Sequence, residues 1–446
     1  MRYSAAALRA VLDAHAPPGV TGLVVALSGG ADSASLLAAA AGLGTSFRGL
    51  KLRALHVDHG LQSAAASFRE ACAALCAALD VPLTIIAVDV QARAGESIEA
   101  AAREARYAAL SEVLEPGECL LTAHHSEDQA ETLLLQVLRG AGLRGASAMP
   151  VCRPLGLGWH LRPVLEVPQH ELLAFGAGML GDHVADPMNQ DLRFDRGYLR
   201  QRVWPLIKTR WPGASTTLSR AARHAAEAQE LLDRSAASSL SRLRDGEALS
   251  VPGLRALCAP DRINALRFWL FEAGVEAPTT ARLKEALRQI LDAQADHLPC
   301  IVWGNVALRR YRQRVFLTQS RVPRLQGTLR WPRGPESPLD LGPDLGELRW
   351  AARTGGLDAR RLPQTLTVRR REGGETLKPA AQAKTQSLQH LCQSHGVLPW
   401  MRDALPLIFA GDALIAVADL WTDARWCTPS GEPGLGIVWR QAPMIV

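Results

Sequence analysis

The fold class is decided by the stretch Gly22-Leu23-Val24-Val25-Ala26-Leu27-Ser28-Gly29-Gly30-Ala31-Asp32-Ser33. Its first six residues are apolar, which is typical of a buried strand, and an Ala/Leu-rich helical pattern follows its last residue. A strand, a pair of glycines and a helix in this order present backbone N–H groups and the positive end of a helix dipole to an anion. The stretch therefore predicts a phosphate-binding turn at residues 28–33, called the phosphate loop below.

The polar side chains of the phosphate loop suit the same ligand. The hydroxyls of Ser28 and Ser33 can donate to phosphate oxygens, and the Asp32 carboxylate can hold the Mg²⁺ that accompanies a polyphosphate. The simpler alternative is that the glycines make a turn and the polar residues cap a helix. The chain contains no G-x-x-x-x-G-K-[ST] sequence, so we do not expect Walker-type chemistry at the β–γ bond.

Strand and helix patterns alternate on both sides of the phosphate loop. Apolar runs predict strands at residues 22–28, 50–57, 83–90 and 119–123. Helical periodicity predicts helices at residues 33–41, 65–79, 97–114 and 126–138. Because parallel neighbours need right-handed crossovers, this order predicts an α/β fold, a doubly wound parallel sheet with helices on both faces. Ligands of such sheets bind at the carboxyl ends of the strands.

The length of 446 residues predicts more than one domain, since a domain averages roughly 150 residues. We assign residues 1–215 to the sheet domain and residues 216–322 to a mainly helical domain that begins with one long helix and ends in strand-like runs. Five prolines and several glycines make residues 323–346 the predicted linker. Residues 347–446 are then a small α+β domain.

Composition excludes a disordered chain and a membrane protein of the helical type. Apolar residues make up 48% and charged residues 21%, as in ordinary globular proteins. The net charge of +6 is compatible with a polyanionic partner without naming one. The eight cysteines form no C-x-x-C pair, so we expect reduced structural thiols. With no signal-peptide layout and no long apolar run, we expect a soluble, cytoplasmic protein.

Polar side chains follow two of the predicted strands. The second strand ends in His56-Val57-Asp58-His59-Gly60-Leu61. The fourth ends in Thr122-Ala123-His124-His125, just before the helix that carries Asp128 and Glu131. The two carboxylates are three residues apart on the helix face that is opposite the apolar stripe. They could bind Mg²⁺ or an amine; the alternative is an acidic first turn that stabilises its own helix dipole.

The run Glu99-Ala100-Ala101-Ala102-Arg103-Glu104-Ala105-Arg106-Tyr107 places two arginines on one helix edge. Surface ion pairing would explain them without any function. They lie between the two strand ends that carry the histidines, so they are also candidates for a place in the site.

The loop Ser28-Gly29-Gly30-Ala31-Asp32-Ser33 resembles the S-G-G-x-D-S loop of the N-type ATP pyrophosphatases. Within that class, the string of residues 56–61, the A-R-E-A-R-Y run, T-A-H-H-S-E-D-Q-A-E-T and residues 139–142 resemble the tRNA(Ile)-lysidine synthetases. The likeness continues at residues 186–191 and 196–200, and in the late stretches 368–375 and 398–403, which are similar to the C-terminal domain of the longer, three-domain members. Three positions depart from the family pattern: Glu127 replaces Asp, Met188 replaces Ser and Gly197 replaces Asn.

This resemblance implies a reaction. ATP and Mg²⁺ bind, the C2 oxygen of the wobble cytidine of an isoleucine tRNA with a CAU anticodon attacks the α-phosphate, and pyrophosphate leaves. The ε-amine of free L-lysine then displaces AMP from C2, which gives lysidine and changes decoding from AUG to AUA.

The resemblance also implies roles for residues. It assigns ATP binding to Ser28, Gly29, Gly30, Ala31, Asp32, Ser33 and His56, with Asp32 as the Mg²⁺ ligand. Asp128 and Glu131 would receive the lysine ammonium or a metal. His124 or His125 would transfer a proton or contact phosphate, and Arg106 and Arg200 would neutralise charge on the α-phosphate.

Two basic stretches fit an RNA partner. Residues 193–223 contain eight Lys/Arg and one acid, and residues 361–403 contain seven Lys/Arg and three acids, together with Trp400. Such stretches supply phosphate contacts, although a solvated surface is the usual alternative. Two other functions remain open: a tRNA thiolase of the same class, for which paired cysteines are missing, and a non-catalytic RNA-binding protein that retains the loop.

Overall fold

The computed structural model describes residues 3–44, 49–58, 65–90, 98–177, 195–294, 297–334, 337–381 and 383–443. The chain divides into two compact units, Met1–Leu232 and Asp233–Val446. Each unit is described by itself.

The first unit is built on a six-stranded sheet. Its strands are β1 (Gly22–Ala26), β2 (Lys51–Asp58), β3 (Leu83–Ala87), β4 (Glu118–Leu121), β5 (Cys152–Leu155) and β6 (Gly158–Leu161). The order across the sheet is β3-β2-β1-β4-β6-β5, and every neighbouring pair is parallel except β6 and β5. The predicted parallel sheet is confirmed, and the antiparallel β5–β6 hairpin at its edge is an addition that the sequence patterns did not indicate.

Helices connect the strands and extend the unit beyond the sheet. They are α1 (Ala5–His15), α2 (Ala31–Ala41), α3 (Ala65–Ala78), α4 (Ile98–Val113), α5 (Ser126–Leu138), α6 (Leu143–Ala146), α7 (Gln169–Gly176), α8 (Asp195–Tyr198) and α9 (Trp204–Arg210). The helix α10 (Ala214–Leu243) begins in the first unit and ends in the second. A π-helical segment, Leu199–Val203, joins α8 to α9. The long helix that was predicted from residue 216 is α10.

Side chains that alternate along the strands cover both faces of the sheet. On one face Leu23 and Val25 of β1 pack with apolar residues of α1, α2, α3 and α7. On the other face Val24 packs with Leu110 and Leu114, at the end of α4. Because strand side chains point alternately up and down, a run of apolar residues is buried on both sides. The doubly wound arrangement is thus confirmed.

The second unit begins with a helical part that is backed by an antiparallel sheet. It contains β7 (Arg244–Asp245), β8 (Ala248–Ser250), α11 (Val251–Ala256), α12 (Ala259–Glu272), α13 (Thr280–Asp292), β9 (Cys300–Trp303), β10 (Val306–Tyr311) and β11 (Arg314–Gln319). The strand order is β7-β8-β11-β10-β9. Both predicted features, a mainly helical segment and strand-like runs at its end, are present.

The rest of the second unit is mostly antiparallel strands. They are β12 (Thr328–Pro332), β13 (Leu339–Asp340), β14 (Glu347–Thr354), β15 (Thr365–Arg369), β16 (Thr376–Leu377), β17 (Gln386–Ser387), β18 (Leu407–Ala410), β19 (Ala413–Val417), β20 (Trp421–Thr422) and β21 (Pro433–Arg440). The α-helix α14 (Leu388–Ser394) follows β17. Two sheets, β12-β15-β18-β19-β20 and β13-β14-β21, enclose a shared core.

The predicted linker, residues 323–346, contains the strands β12 and β13. Strand β12 pairs with β15 over five residues, and its fourth residue, Trp331, is fully buried. The segment therefore contributes to a sheet as well as connecting two parts of the chain. The domain boundaries drawn from the sequence stay a prediction.

A helix that crosses a membrane must be long and apolar. Within the described ranges, the structure has no helix that combines the length and the apolar character needed to cross a membrane.

Candidate active site

The phosphate loop connects β1 to α2 at the carboxyl edge of the sheet. The hydroxyl of Ser33 donates to the Gly30 carbonyl at 3.0 Å and accepts from the Ser28 amide at 3.1 Å. The Ser28 hydroxyl lies 3.1 Å from Ser33 Oγ and accepts from the Gly30 amide at 3.3 Å. Because the one hydroxyl proton of Ser33 goes to Gly30, Ser28 is the donor in its contact with Ser33, and the two hydroxyls together fix the shape of the loop.

The first glycine of the loop has a backbone that other residues rarely adopt. Gly29 has φ of +85°, and a Cβ atom at this position would lie 2.6 Å from Cδ1 of Phe68. At Gly30, where α2 begins, no side chain caps the helix. The amide groups of the first turn of α2 are therefore left for a ligand, which agrees with the predicted anion site.

His56 is buried at the end of β2, beside the start of the loop. Its Nδ1 lies 2.8 Å from the Leu27 carbonyl, so that nitrogen carries the proton and donates. The ring is only 4% exposed. This contact positions the residue that precedes Ser28; direct contact with a nucleotide stays a prediction.

Asp32 points from the first turn of α2 towards α7 and α5. The Gln169 side-chain amide donates to both of its carboxylate oxygens, at 3.3 and 3.1 Å. His125 Nε2 lies 3.8 Å from Oδ2. Burial raises the pKa of Asp32, and the effects of His125 and Gln169 offset this only in part. The carboxylate is 32% exposed, so it is accessible to a cation.

His125 lies among three carboxylates. Besides Asp32, its Nε2 is 3.4 Å from Asp128 Oδ2 and its Nδ1 is 3.3 Å from Glu127 Oε2. Nδ1 makes no well-aligned hydrogen bond, so these are charge contacts more than directed bonds. Burial would lower the pKa of His125, but the three carboxylates outweigh burial and the net shift is upward. The raised pKa favours the imidazolium form of His125, which balances part of the negative charge.

Glu127, the position at which the family pattern has Asp, is held by several donors. Its Oε2 accepts from the Ser126 hydroxyl and from the Gln169 backbone amide, each at 3.0 Å, and Lys208 Nζ lies 3.4 Å from Oε1. Burial would raise the pKa of Glu127, but His125 and the backbone amide outweigh it, so the pKa is well below the ordinary value. Glu127 therefore links α5 to α7 and α9 as a carboxylate.

Asp128 and Glu131 are covered by two arginines from the segment 195–210. Arg200 donates to Glu131 through Nε and Nη2, both at 2.8 Å, and to Asp128 at 3.0 Å. Arg196 donates to Glu131 at 3.1 Å and to Asp128 at 3.3 Å. Glu131 is 1% exposed. The two carboxylates do point away from the sheet core, as their spacing predicted, but they face guanidinium groups and not open solvent.

His124 has a different environment from His125. Thr122 Oγ1 lies 2.8 Å from both His124 Nδ1 and His160 Nε2. Burial lowers the pKa of His124 to about 3 and that of His160 to about 2. Both rings are therefore neutral at pH 7.

The hydrogen-bond chain assigns the tautomers of these two rings. Arg162 Nη2 is 3.3 Å from His160 Nδ1, and a guanidinium can only donate, so Nδ1 accepts and His160 Nε2 carries the proton. Thr122 then accepts from His160 and donates to His124 Nδ1. It follows that His124 carries its proton on Nε2, where it can donate to a ligand.

The chain is similar to known proteins over most of its length. The tRNA(Ile)-lysidine synthase of Alkalilimnicola ehrlichii is 40% identical to this chain over 424 residues, which cover 94% of this chain and 93% of the relative. The chain belongs to the tRNA(Ile)-lysidine synthase family. The enzymes of Methylococcus capsulatus and Coxiella burnetii are 38% and 36% identical, and the matches cover 92% and 93% of this chain and 92% and 91% of the relatives.

Models of three domains of lysidine synthases match in order. A PP-loop domain matches residues 5–207, a TilS substrate binding domain matches residues 249–316, and a TilS substrate C-terminal domain matches residues 366–439. The resemblance that was based on motifs in both halves of the chain is confirmed.

The structure brings most of the predicted site residues of this lysidine synthase family member together. Asp32, His125, Asp128, Arg200 and Glu131 form one connected set that begins at the phosphate loop. Arg106 lies on α4 with an exposed side chain, and its contact with phosphate stays a prediction. Residues 59–61, 186–191 and 193 lie outside the described residues.

The basic stretch that begins at residue 193 is partly used inside the first unit. Arg196 and Arg200 pair with Asp128 and Glu131, and Lys208 pairs with Glu127. These three cations neutralise carboxylates of α5, and Arg223 of the same stretch pairs with Glu166 and Glu227. The local excess of positive charge for RNA is therefore smaller than the sequence count indicated.

Three residues that shape the site were not predicted from the sequence. Gln169 holds Asp32 and Glu127 from the start of α7, and Arg162 and His160 orient His124. The tripeptide His160-Leu161-Arg162 offered a signal, because two polar residues flank the last apolar residue of a strand at the carboxyl edge. No comparable signal in the sequence pointed to Gln169.

Proposed function

We propose that this chain uses ATP to join lysine to C2 of the wobble cytidine of an isoleucine tRNA with a CAU anticodon. The reaction passes through an adenylated tRNA and releases pyrophosphate and AMP, which leaves lysidine. One observation carries the proposal: a continuous set of charged side chains extends from Asp32 of the phosphate loop to the carboxylates of α5. Membership of the lysidine synthase family supports both ATP use and a tRNA(Ile) substrate.

The phosphate loop would bind the polyphosphate. Amides of the first turn of α2 supply neutral donors, and Asp32 supplies one carboxylate for Mg²⁺. When bound, Mg²⁺ neutralises charge on the polyphosphate. Within the described ranges, no three His, Cys, Asp or Glu side chains converge as metal ligands. A single carboxylate fits Mg²⁺, because this ion commonly takes one or two protein carboxylates and completes its shell with water and phosphate oxygens.

Asp128 and Glu131 would receive the ammonium group of lysine. Two carboxylates and two guanidinium groups already balance in charge there, so an ammonium group preserves that balance only when it replaces a guanidinium. Arg200 is 35% exposed and is the partner that could withdraw. Once released, Arg200 would neutralise charge on the α-phosphate. Lysine binding and charge neutralisation, the two roles that the family resemblance implies, would then be linked.

His124 would act as a hydrogen-bond donor. A neutral ring with its proton on Nε2 can stabilise an anionic oxygen but cannot accept a proton at that nitrogen. The arrangement thus favours contact with a phosphate or with the developing negative oxygen over the function of a general base.

Substitution of Asp32 tests the proposal most directly. We expect Asp32→Asn to reduce lysidine formation by at least about tenfold, since a carboxylate contact to Mg²⁺ is lost. Lysidine would be measured by mass spectrometry of nuclease-digested tRNA after incubation with ATP and lysine. Asp13→Asn, at an exposed carboxylate on α1, is the matched control. Near-normal activity of Asp32→Asn would contradict the metal role.

Two alternative functions predict different experimental results. A thiolase would need a reactive sulfur, but burial raises the pKa of Cys72, the thiol 3.5 Å from His56, to about 12. A non-catalytic RNA-binding protein would release no pyrophosphate when tRNA and lysine are both saturating. An amino-acid panel with labelled tRNA completes the test, because incorporation of lysine alone is expected.

A further inference from the structure

Arg162 is a buried cation at the carboxyl edge of the sheet, just after β6. It is 3% exposed. Its Nη1 donates to the Pro150 carbonyl at 2.7 Å and its Nη2 donates to His160 Nδ1 at 3.3 Å, while its Nε is buried without a hydrogen-bond partner. Burial of a guanidinium group is unfavourable unless an anion accompanies it. The protein itself supplies only neutral acceptors to this group among the described residues.

Two further arginines lie in the same cluster. Arg103 of α4 and Arg153 of β5 each have their guanidinium carbon over the ring of Tyr107, at 5.2 and 5.4 Å from its centre. Arg153 Nε is also 3.5 Å from His160 Nδ1. In the described parts of the chain, none of these three arginines forms an ion pair with Asp or Glu. Elsewhere in the first unit, Arg53, Arg196 and Arg200 all do.

Like charges without a counter-ion repel one another, so their assembly needs a compensating interaction. Burial and the nearby arginines lower the pKa of Arg162 to about 10, and a hydrogen bond with Tyr107 offsets this only in part. His160 and His124, in contact with this cluster, are neutral for the same reason and add no further positive charge. An oxyanion with one or two negative charges would offset the repulsion among the three arginines.

We propose that Arg103, Arg153 and Arg162 form a second anion site that binds a phosphate group. The inference rests on the proposed function, to which it adds a place for a phosphate outside the phosphate loop. Strand β4 separates β1 from β6, and two strand spacings make about 10 Å between the phosphate loop and Arg162. His124 follows β4, the strand that lies between them. Two sources have the required chemistry: the RNA backbone beside the wobble nucleotide, and the polyphosphate of ATP.

Glutamine substitutions test the site by binding alone. Arg153→Gln is the primary variant, because its side chain is exposed and removal of one exposed guanidinium should not disturb folding. Arg162→Gln is the second variant. Arg9→Gln, which removes an equally charged side chain paired with Asp13 on α1, is the matched control. Melting temperatures of all four proteins verify folding.

Two binding measurements separate the sources of the phosphate. Affinity for ATP with Mg²⁺ is measured by calorimetry without tRNA, and affinity for a transcript of isoleucine tRNA is measured by filter binding at several salt concentrations without ATP. Loss of a hydrogen-bonded charge contact predicts affinity weaker by about tenfold for Arg153→Gln and for Arg162→Gln, with the control unchanged. If the RNA backbone is the source, only tRNA binding weakens and the slope of log K against log salt falls by about 0.7.

If the polyphosphate is the source, ATP binding weakens and the salt slope for tRNA is unchanged. Unchanged affinity for both ligands in a folded Arg153→Gln protein would overturn the proposal, whatever the behaviour of Arg162→Gln. Lysidine formation is measured separately on the unsubstituted chain. A chain that binds both ligands but forms no lysidine would contradict the proposed function and leave the anion site standing.

Discussion

The Glu131→Gln substitution tests the ion network that joins α5 to the segment 195–210. The substitution keeps the size of the side chain and removes its charge. Glu131 is 1% exposed and accepts two bonds of 2.8 Å from Arg200 and one of 3.1 Å from Arg196. The neutral amide would leave both guanidinium groups with Asp128 as their remaining carboxylate.

The expected loss of folding stability depends on how deeply Glu131 and its two arginine partners are buried. Loss of one partner of a fully buried ion pair costs about 3–5 kcal/mol. Because Arg196 and Arg200 are 28% and 35% exposed, solvent stabilises part of their charge, and we expect about 2–3 kcal/mol. For a unit of this size, about 2–4 °C accompany each kcal/mol, so the melting temperature of the first unit should fall by about 4–12 °C.

Scanning calorimetry of the full chain measures this change. Arg9→Gln, which breaks an exposed pair on α1, should leave the melting temperature within about 1 °C of the original. The double variant Glu131→Gln/Arg200→Gln should lose less than the sum of the two single losses, by about 1 kcal/mol or more, since the two residues stabilise each other. A fall of less than about 2 °C, together with additive losses, would refute the network as a source of stability.

Two further predictions concern the first unit. Because burial holds the pKa of His160 at about 2, the unfolded chain, with a histidine pKa of about 6.5, binds a proton that the folded chain does not. Stability should therefore fall as the pH drops below about 6.5, by up to about 1.4 kcal/mol per pH unit, and urea titrations of His160→Gln should show a shallower fall; an identical pH profile would contradict this. Gly29→Ala should cost about 1–3 kcal/mol because of its positive φ and the contact with Phe68, whereas Gly30→Ala, with its nearest contact at 3.5 Å, should cost less than Gly29→Ala in the same titrations.

Local features of the site were accessible from sequence. The phosphate loop is one continuous segment, and its conformation depends on two adjacent glycines and on the helix that follows, so a hexapeptide is enough to predict it. The shared face of Asp128 and Glu131 follows from helical geometry alone. Strand and helix periodicity likewise predicted the parallel sheet, because residues that alternate in a strand are buried on both of its faces.

Contacts between distant segments were not accessible in this way. Gln169 and Asp32 are 137 residues apart, and Arg200 and Glu131 are 69 apart. No local pattern distinguishes an arginine that pairs with a buried carboxylate from one on a solvated surface. The partners of such side chains depend on which helices pack together. The basic stretch was therefore predicted to face RNA, although four of its members pair with carboxylates: Arg196, Arg200, Lys208 and Arg223.

The sequence by itself determined that a phosphate loop follows the first strand of a parallel sheet, and motifs in both halves of the chain resembled one family. Only the tertiary structure decided which charges are neutralised and which are not. Ion pairs satisfy Asp128 and Glu131, whereas Arg162 is buried beside neutral histidines and has no carboxylate partner among the described residues. The physical reason is that solvation and charge pairing act through space, so the electrostatics of the loop's surroundings exist only once β4, β6, α5 and the segment 195–210 have come together.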